Sequence, residues 1–285
     1  MDMMARLSMS MALLACALLP GCPRQGKEPP IWDQVKIGEL APKADGLEPA
    51  ALNTTNFDVY IFQVQQERVK QLRGLWDALN AKSIRFRSHE AFRSCAFRVA
   101  KGSAGQWDWI VGSLNEVGAN KGATVSMWLS GDEENDIVIS PLGQAQTVSF
   151  VDKDRLTRQV TVGPGRLVLR IRTEGAVAAP QARQLTAYPV FTVPAGGPIP
   201  ELVALAKTRE VAFLMAAFST PVRQGDILVL GPEDYYGDSS TLGGLFFANP
   251  QGRPAVDARG RYPVRLRSTV RVYVIVCTRL AEDTR

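Results

Sequence analysis

The chain has 285 residues, 46% hydrophobic and 21% charged, with a formal net charge of +5 and an isoelectric point near 9.1. That length holds one large domain or two modest ones, and the composition is that of an ordinary folded protein. No basic run is interleaved with aromatics, which argues against nucleic-acid binding. A single histidine, His89, leaves little material for Ser-His-Asp, Cys-His or multi-histidine zinc chemistry.

The chain opens MDMMARLSMSMALLACALLPGC. Arg6 supplies one positive charge, residues 7–19 are apolar apart from Ser8 and Ser10, and Pro20-Gly21 ends the run. This is the pattern of a secretory signal, shorter than the roughly 20 residues that span a bilayer. The residues LPGC, 19–22, resemble a bacterial lipobox, in which a small residue precedes a cysteine that receives diacylglycerol. Pro20 departs from the usual pattern. A second match, LLAC at 13–16, would put the lipid on Cys16 but leave apolar ALLP behind it, so Cys22 is preferred. The resemblance implies a signal peptide over 1–21, a lipid on Cys22 and a protein exported to the periplasmic or envelope face of a membrane. Several acyl chains, at about 0.8 kcal/mol per buried methylene, would make that hold durable. A plain secretory signal or a short membrane anchor is the alternative.

Residues 22–56 are rich in proline, glycine and charge and read as a tether. Order is expected to begin at FDVYIFQVQ, 57–65, apolar on both faces in its middle as a central strand is. In ERVKQLRGLWDALN, Val69, Leu72, Leu75, Trp76 and Leu79 form one helical stripe. SHEAFRSC predicts a short helix with His89 in a solvated capping position, and FRVA predicts a strand. Ser103 caps a helix whose apolar face holds Trp107, Ile110, Val111, Leu114 and Val117. Trp109 diverges from that face by about 100° per residue and is a candidate contact residue. ATVSMWLS closes a small mixed α/β module over residues 57–136. GDEEND, 131–136, lacks the alternating ligands of an EF-hand and reads as a solvated turn.

Strands dominate residues 137–280. QTVSFVD alternates, and RQVTVGPGRLVLRIRTEG predicts a hairpin turning at Gly163-Pro164-Gly165. Its return strand would set Leu167, Leu169 and Ile171 against a basic wet face of Arg166, Arg170 and Arg172. Pro189 limits QLTAYPVFTV to an edge or a bulge. PELVALAKT adds a helical turn or two, and VAFLMAAFST, DILVLGP and TVRVYVIVCTRL complete an antiparallel β-domain. The expected class is α+β: a small mixed module followed by a mainly antiparallel, sandwich-like β-domain.

With Cys22 lipidated, Cys95 and Cys277 remain in the folded part, either as a disulfide or as two buried thiols. GPEDYYGD, 231–238, sets Glu233, Asp234 and Asp238 beside Tyr235 and Tyr236, and acids beside aromatics suit sugars. Glu233 and Asp234 point to opposite faces if they lie on a strand, so a catalytic pair would need a further acid such as Asp238.

AFSTPVRQGDILVLGPEDYYGDSSTLGGLFFANPQG, followed by STVRVYVIVCTRLAE, resembles the C-terminal β-domain of bacterial secretins. The turn would be Gln224-Gly225-Asp226, the following strand 227–231, the "LGxLF" element 241–247 and the last apolar strand 270–280. Pro232 replaces a customary glycine, Thr278-Arg279 stands where Thr-Pro is usual, and no long amphipathic hairpin pair lines a pore. Hairpin turn chemistry in a generic β-sandwich accounts for the same glycines and prolines. The resemblance implies a pore-less, lipid-anchored relative: a non-enzymatic scaffold or assembly protein with no cofactor or metal and a protein partner in the envelope. The alternative is a carbohydrate-binding or carbohydrate-active protein using residues 233–238.

Overall fold

A computed structural model describes residues 54–131, 133–176, 181–196, 199–233, 241–249 and 268–281. The expected signal peptide, Cys16, Cys22 and all of the tether before residue 54 lie outside the described residues, as do Asp234, Tyr235, Tyr236 and Asp238. The described chain is a small α/β region followed by a mainly antiparallel β-domain.

The first strand, β1 (Thr54–Gln65), starts three residues earlier than the alternation predicts. A 3-10 turn, Gln66–Leu72, runs into α1 (Arg73–Ala78), and together they bury Val69, Leu72, Leu75 and Trp76 of the predicted stripe. After the short β2 (Arg85–Phe86), Ser88 Oγ accepts the Ala91 amide and caps α2 (His89–Ser94), with His89 exposed at its first position. The chain continues as β3 (Phe97–Ser103), a 3-10 turn begun by a Ser103–Gln106 capping box, α3 (Trp107–Glu116) and β4 (Asn120–Ser130). Ile110 and Leu114 are the buried residues of α3.

The later strands are β5 (Glu134–Leu142), β6 (Gln146–Val151), β7 (Thr157–Val162), β8 (Gly165–Gly175) and β9 (Arg183–Thr192). Then come α4 (Pro200–Thr208), β10 (Val211–Ala212), β11 (Phe218–Val222), β12 (Asp226–Pro232), α5 (Leu242–Phe247) and β13 (Thr269–Ala281). A five-stranded sheet runs β3-β12-β13-β1-β4. A second runs β2-β11-β9-β8-β5 with β10 also on β9, and β6 and β7 form a two-stranded sheet. Every named pairing is antiparallel.

The first sheet draws strands from both sides of residue 136. β13 pairs with β1 along its whole length, Gln65 opposite Thr269 and Thr54 opposite Ala281, and β12 pairs with β3. The predicted centrality of β1 holds, since it lies between β13 and β4. One continuous apolar core joins the two larger sheets. The helix α5, buried at all six positions, touches β5, β12 and β13. Phe246 and Phe247 stack edge-on against Phe97 at 5.0 and 5.1 Å.

Three local expectations are corrected. The predicted hairpin at Gly163-Pro164-Gly165 does not form: β7 pairs with β6, while β8 pairs with β5 and β9. Gly163 packs against the backbone of Gln144 and Ala145, so the link carries the chain from one sheet to another. Pro189 does not confine β9 to an edge, because β9 lies inside the second sheet. It sits between the stretch paired with β11, residues 183–187, and the stretch paired with β10, residues 190–191. Its carbonyl accepts the Phe213 amide there, and neither short strand needs the missing N–H. VAFLMAAFST is likewise split into β10, a 3-10 turn (Leu214–Ala216) and β11.

Candidate functional site

Glu233 is the one residue of the acidic and aromatic loop within the described residues. It follows β12, and its backbone amide donates to Ala96 O at 3.0 Å. Its carboxylate takes a bidentate pair from Arg93 of α2, Nη2 to Oε1 at 2.8 Å and Nε to Oε2 at 3.1 Å. This pair raises the Arg93 guanidinium above its ordinary ionisation range, chiefly through the hydrogen bond from Arg93 to the carboxylate. Glu233, Arg93 and His89 line one groove of about 280 Å³ with Phe86, Phe92 and Phe97. A carboxylate held at both oxygens by a guanidinium is positioned for structure. Trp109 lies on α3, 42% exposed, and is not part of that groove. Its neighbour Trp107 turns inward and meets Tyr60 with ring centroids 4.8 Å apart.

The larger groove, about 390 Å³, lies on the outer face of the second sheet, where the sequence reading placed no site. Pairing aligns one polar row across five strands: Arg85 of β2, Ser219 of β11, Thr186 of β9, Arg172 of β8 and Glu134 of β5. These five residues line the groove together with Arg87, Tyr188 and Leu214. The signal was present in the alternation of β8, but only strand order could show which residues would join its arginines.

The basic face predicted for β8 is largely neutralised beside this groove. Arg170 donates to both oxygens of Asp136, at 2.8 and 2.9 Å, and to both of Glu210, at 2.9 and 3.2 Å. These bonds hold the Arg170 guanidinium well above its ordinary range, the Asp136 bond contributing most. Asp136, expected in a solvated turn, is thereby drawn into β5. Tyr188 Oη donates to Glu134 at 3.0 Å, and its phenol is pushed upward, first by burial and then by that carboxylate.

The first sheet presents a different surface. Among the described residues its terminal strand β4 pairs with β1 alone. Residues 120–126 are exposed on both faces, and Trp128 is 64% exposed. The opposite edge, β3, is covered at Lys101, where Asn80 and Lys101 exchange backbone hydrogen bonds at 2.9 and 2.8 Å. Elsewhere α4 buries no residue and leaves Leu202, Val203 and Leu205 in solvent.

Cys95 and Cys277 are both free and both buried. Burial pushes each thiol up to about 12, Cys277 with a further contribution from Asp226. Neither is a nucleophile at neutral pH, where the thiolate is the reactive form. Among the described residues no group of three or more His, Cys, Asp or Glu side chains gathers to hold a metal ion.

No family model matches the chain, and no curated protein matches it. Among solved structures it bears a distant resemblance to secretins. The InvG secretin domain β-barrel from the Salmonella SPI-1 injectisome matches at 9% identity and a TM-score of 0.25, with 82% of this chain and 64% of that chain covered. The type II secretin GspD from enteropathogenic Escherichia coli matches at 12% identity and a TM-score of 0.22, with 82% and 69% covered. The chain thus spans about two thirds of the length of these two secretin chains.

Proposed function

We propose that this chain is a non-enzymatic envelope protein, anchored through lipid on Cys22, that acts as a scaffold or assembly protein by taking a partner's strand onto β4. The observation that supports this reading is the asymmetry of the first sheet. Backbone hydrogen bonds cover the β3 edge at Lys101, whereas among the described residues β4 pairs with no strand beyond β1, carries the exposed Trp128, and on its outer side takes a side-chain hydrogen bond from Asn135 at the Trp128 carbonyl. An unpaired edge is a template for another strand, and side chains at alternate positions select which strand. The fitting occupant is an extended segment with an apolar side chain opposite Trp128. A carbohydrate-active reading through Glu233 is less favoured, because Arg93 engages both of its carboxylate oxygens.

Two measurements test the parts separately. Mass spectrometry of the mature N-terminus from native membranes should find a diacylated Cys22; an intact, unmodified chain in the cytosol would overturn the anchoring. A photo-crosslinker at Thr124 on β4 should give one adduct of defined mass, lost on Trp128→Asp, and one at Asn80, which covers the β3 edge at Lys101, should give none. Equal adducts from both edges, or none from Thr124, would overturn the docking.

A further inference from the structure

We infer that the groove on the outer face of the second sheet binds a small amphiphilic carboxylate: a carboxylate head between Arg85, Arg87 and Arg172, with an apolar body against Leu214 and Phe86. This goes beyond the strand-docking reading and does not depend on it.

The charges in the groove do not cancel. Its acids are Glu134 and Glu174, and both are engaged. Glu134 accepts from Tyr188 Oη, and Glu174 lies 3.0 Å from Arg172 Nε in an ion pair. That contact falls outside hydrogen-bond alignment, so the buried Arg172 Nε–H has no hydrogen-bond acceptor among the described residues. Arg85 and Arg87 have no carboxylate partner among the described residues, and they flank Phe86 from two consecutive outward positions. Between these two arginines and Arg172 lie the hydroxyls of Ser219 and Thr186, in the same cross-strand row. An oxyanion above that row meets forked guanidinium donors from both sides and hydroxyl donors from below, the geometry in which arginine recognises carboxylates.

The remaining wall is apolar. Leu214 is 41% exposed on its 3-10 turn, beside the half-buried Phe86 and the closely packed Ala217 and Phe218. A purely ionic ligand would leave that wall wet. A carboxylate with a short apolar body uses both, and a cavity of about 390 Å³ lies within the size range of small-molecule sites.

The test is calorimetric titration of the full chain with 4-phenylbutyrate, with 4-phenylbutanol supplying the body without the charge and inorganic phosphate the charge without the body. 4-Phenylbutyrate should bind with a dissociation constant on the order of 1 mM, and the alcohol and phosphate at least about tenfold more weakly. Arg85→Gln/Arg87→Gln should weaken binding about tenfold, as should Arg172→Gln. Leu214→Ser should weaken 4-phenylbutyrate while leaving phosphate unchanged. The exposed Arg85 and Arg87 positions can be replaced without disturbing the core, which keeps the double variant interpretable. Four results would overturn the inference: no binding at about 10 mM, an unchanged affinity in the arginine variants, phenylbutanol as tight as phenylbutyrate, or phosphate as tight as phenylbutyrate.

Discussion

Replacing Gly243 by alanine probes how closely α5 is held to the turn between α2 and β3. A Cβ at Gly243 would stand 2.2 Å from Cys95 O and 3.3 Å from both the carbonyl carbon and the Cβ of Ala96. These obstacles are largely backbone, and the turn is already constrained, with Ala96 at φ 59°. The Gly243 amide also donates to the same Cys95 oxygen at 2.8 Å, so relief of the clash stretches a hydrogen bond. Overpacking costs about 1–3 kcal/mol and a weakened buried hydrogen bond about 1 kcal/mol more, against about 1 kcal/mol gained from alanine's helix preference. The net expectation is a loss of about 2 kcal/mol, a fall in urea midpoint of about 0.7 M at a slope of about 3 kcal/mol/M. Gly112→Ala is the matched control: Gly112 lies inside α3 with no atom within 4 Å of its would-be Cβ, so alanine should stabilise by about 0.5–1 kcal/mol. Urea unfolding followed by circular dichroism measures both. A Gly243→Ala protein within about 0.5 kcal/mol of the parent, or one shifted in the same direction as Gly112→Ala, would refute the close docking of α5.

Arg170→Met leaves Asp136 and Glu210 facing each other without their shared cation, and urea unfolding should show a loss of about 2–3 kcal/mol, tempered by partial solvent access. Arg170→Met/Asp136→Asn/Glu210→Gln should recover most of that loss, and failure to do so would place the effect in packing instead. The Cys95 thiol, ordinarily near 9.0 and pushed up to about 12, stays neutral in the fold while the unfolded chain ionises. Its contribution is therefore complete below pH 9 and lost between pH 9 and about 12, at about 1.4 kcal/mol per pH unit. Urea midpoints of the parent should fall more steeply over that window than those of Cys95→Ala. Iodoacetamide at pH 8, with peptide mapping, should leave Cys95 and Cys277 unmodified in the native protein and modify both in urea.

Much of the local structure was legible because it depends on periodicity within one segment. The stripe of Val69, Leu72, Leu75 and Trp76, the caps at Ser88 and Ser103 and the twofold alternation of β1 each declare themselves over a few residues. The inward turn of Trp107 and the exposure of Trp109 follow from helical geometry alone. Pairing between distant segments carries no such signal. Nothing near Val162 announces that β7 turns to β6 instead of β8, and nothing near Thr269 announces β1 as its partner. The guanidinium that claims Glu233 lies 140 residues away. The outer groove is a still more distributed object: five residues from five strands become neighbours only when the strand order is set. Sequence by itself determined most of the longer elements, their buried faces and the α+β class, since those follow from side-chain spacing along the chain, while it missed the helix α5 and the split of VAFLMAAFST. Tertiary structure alone decided which edges remain open, which charges cancel and where arginines converge, because each is a relation between segments that burial of the shared core brings together.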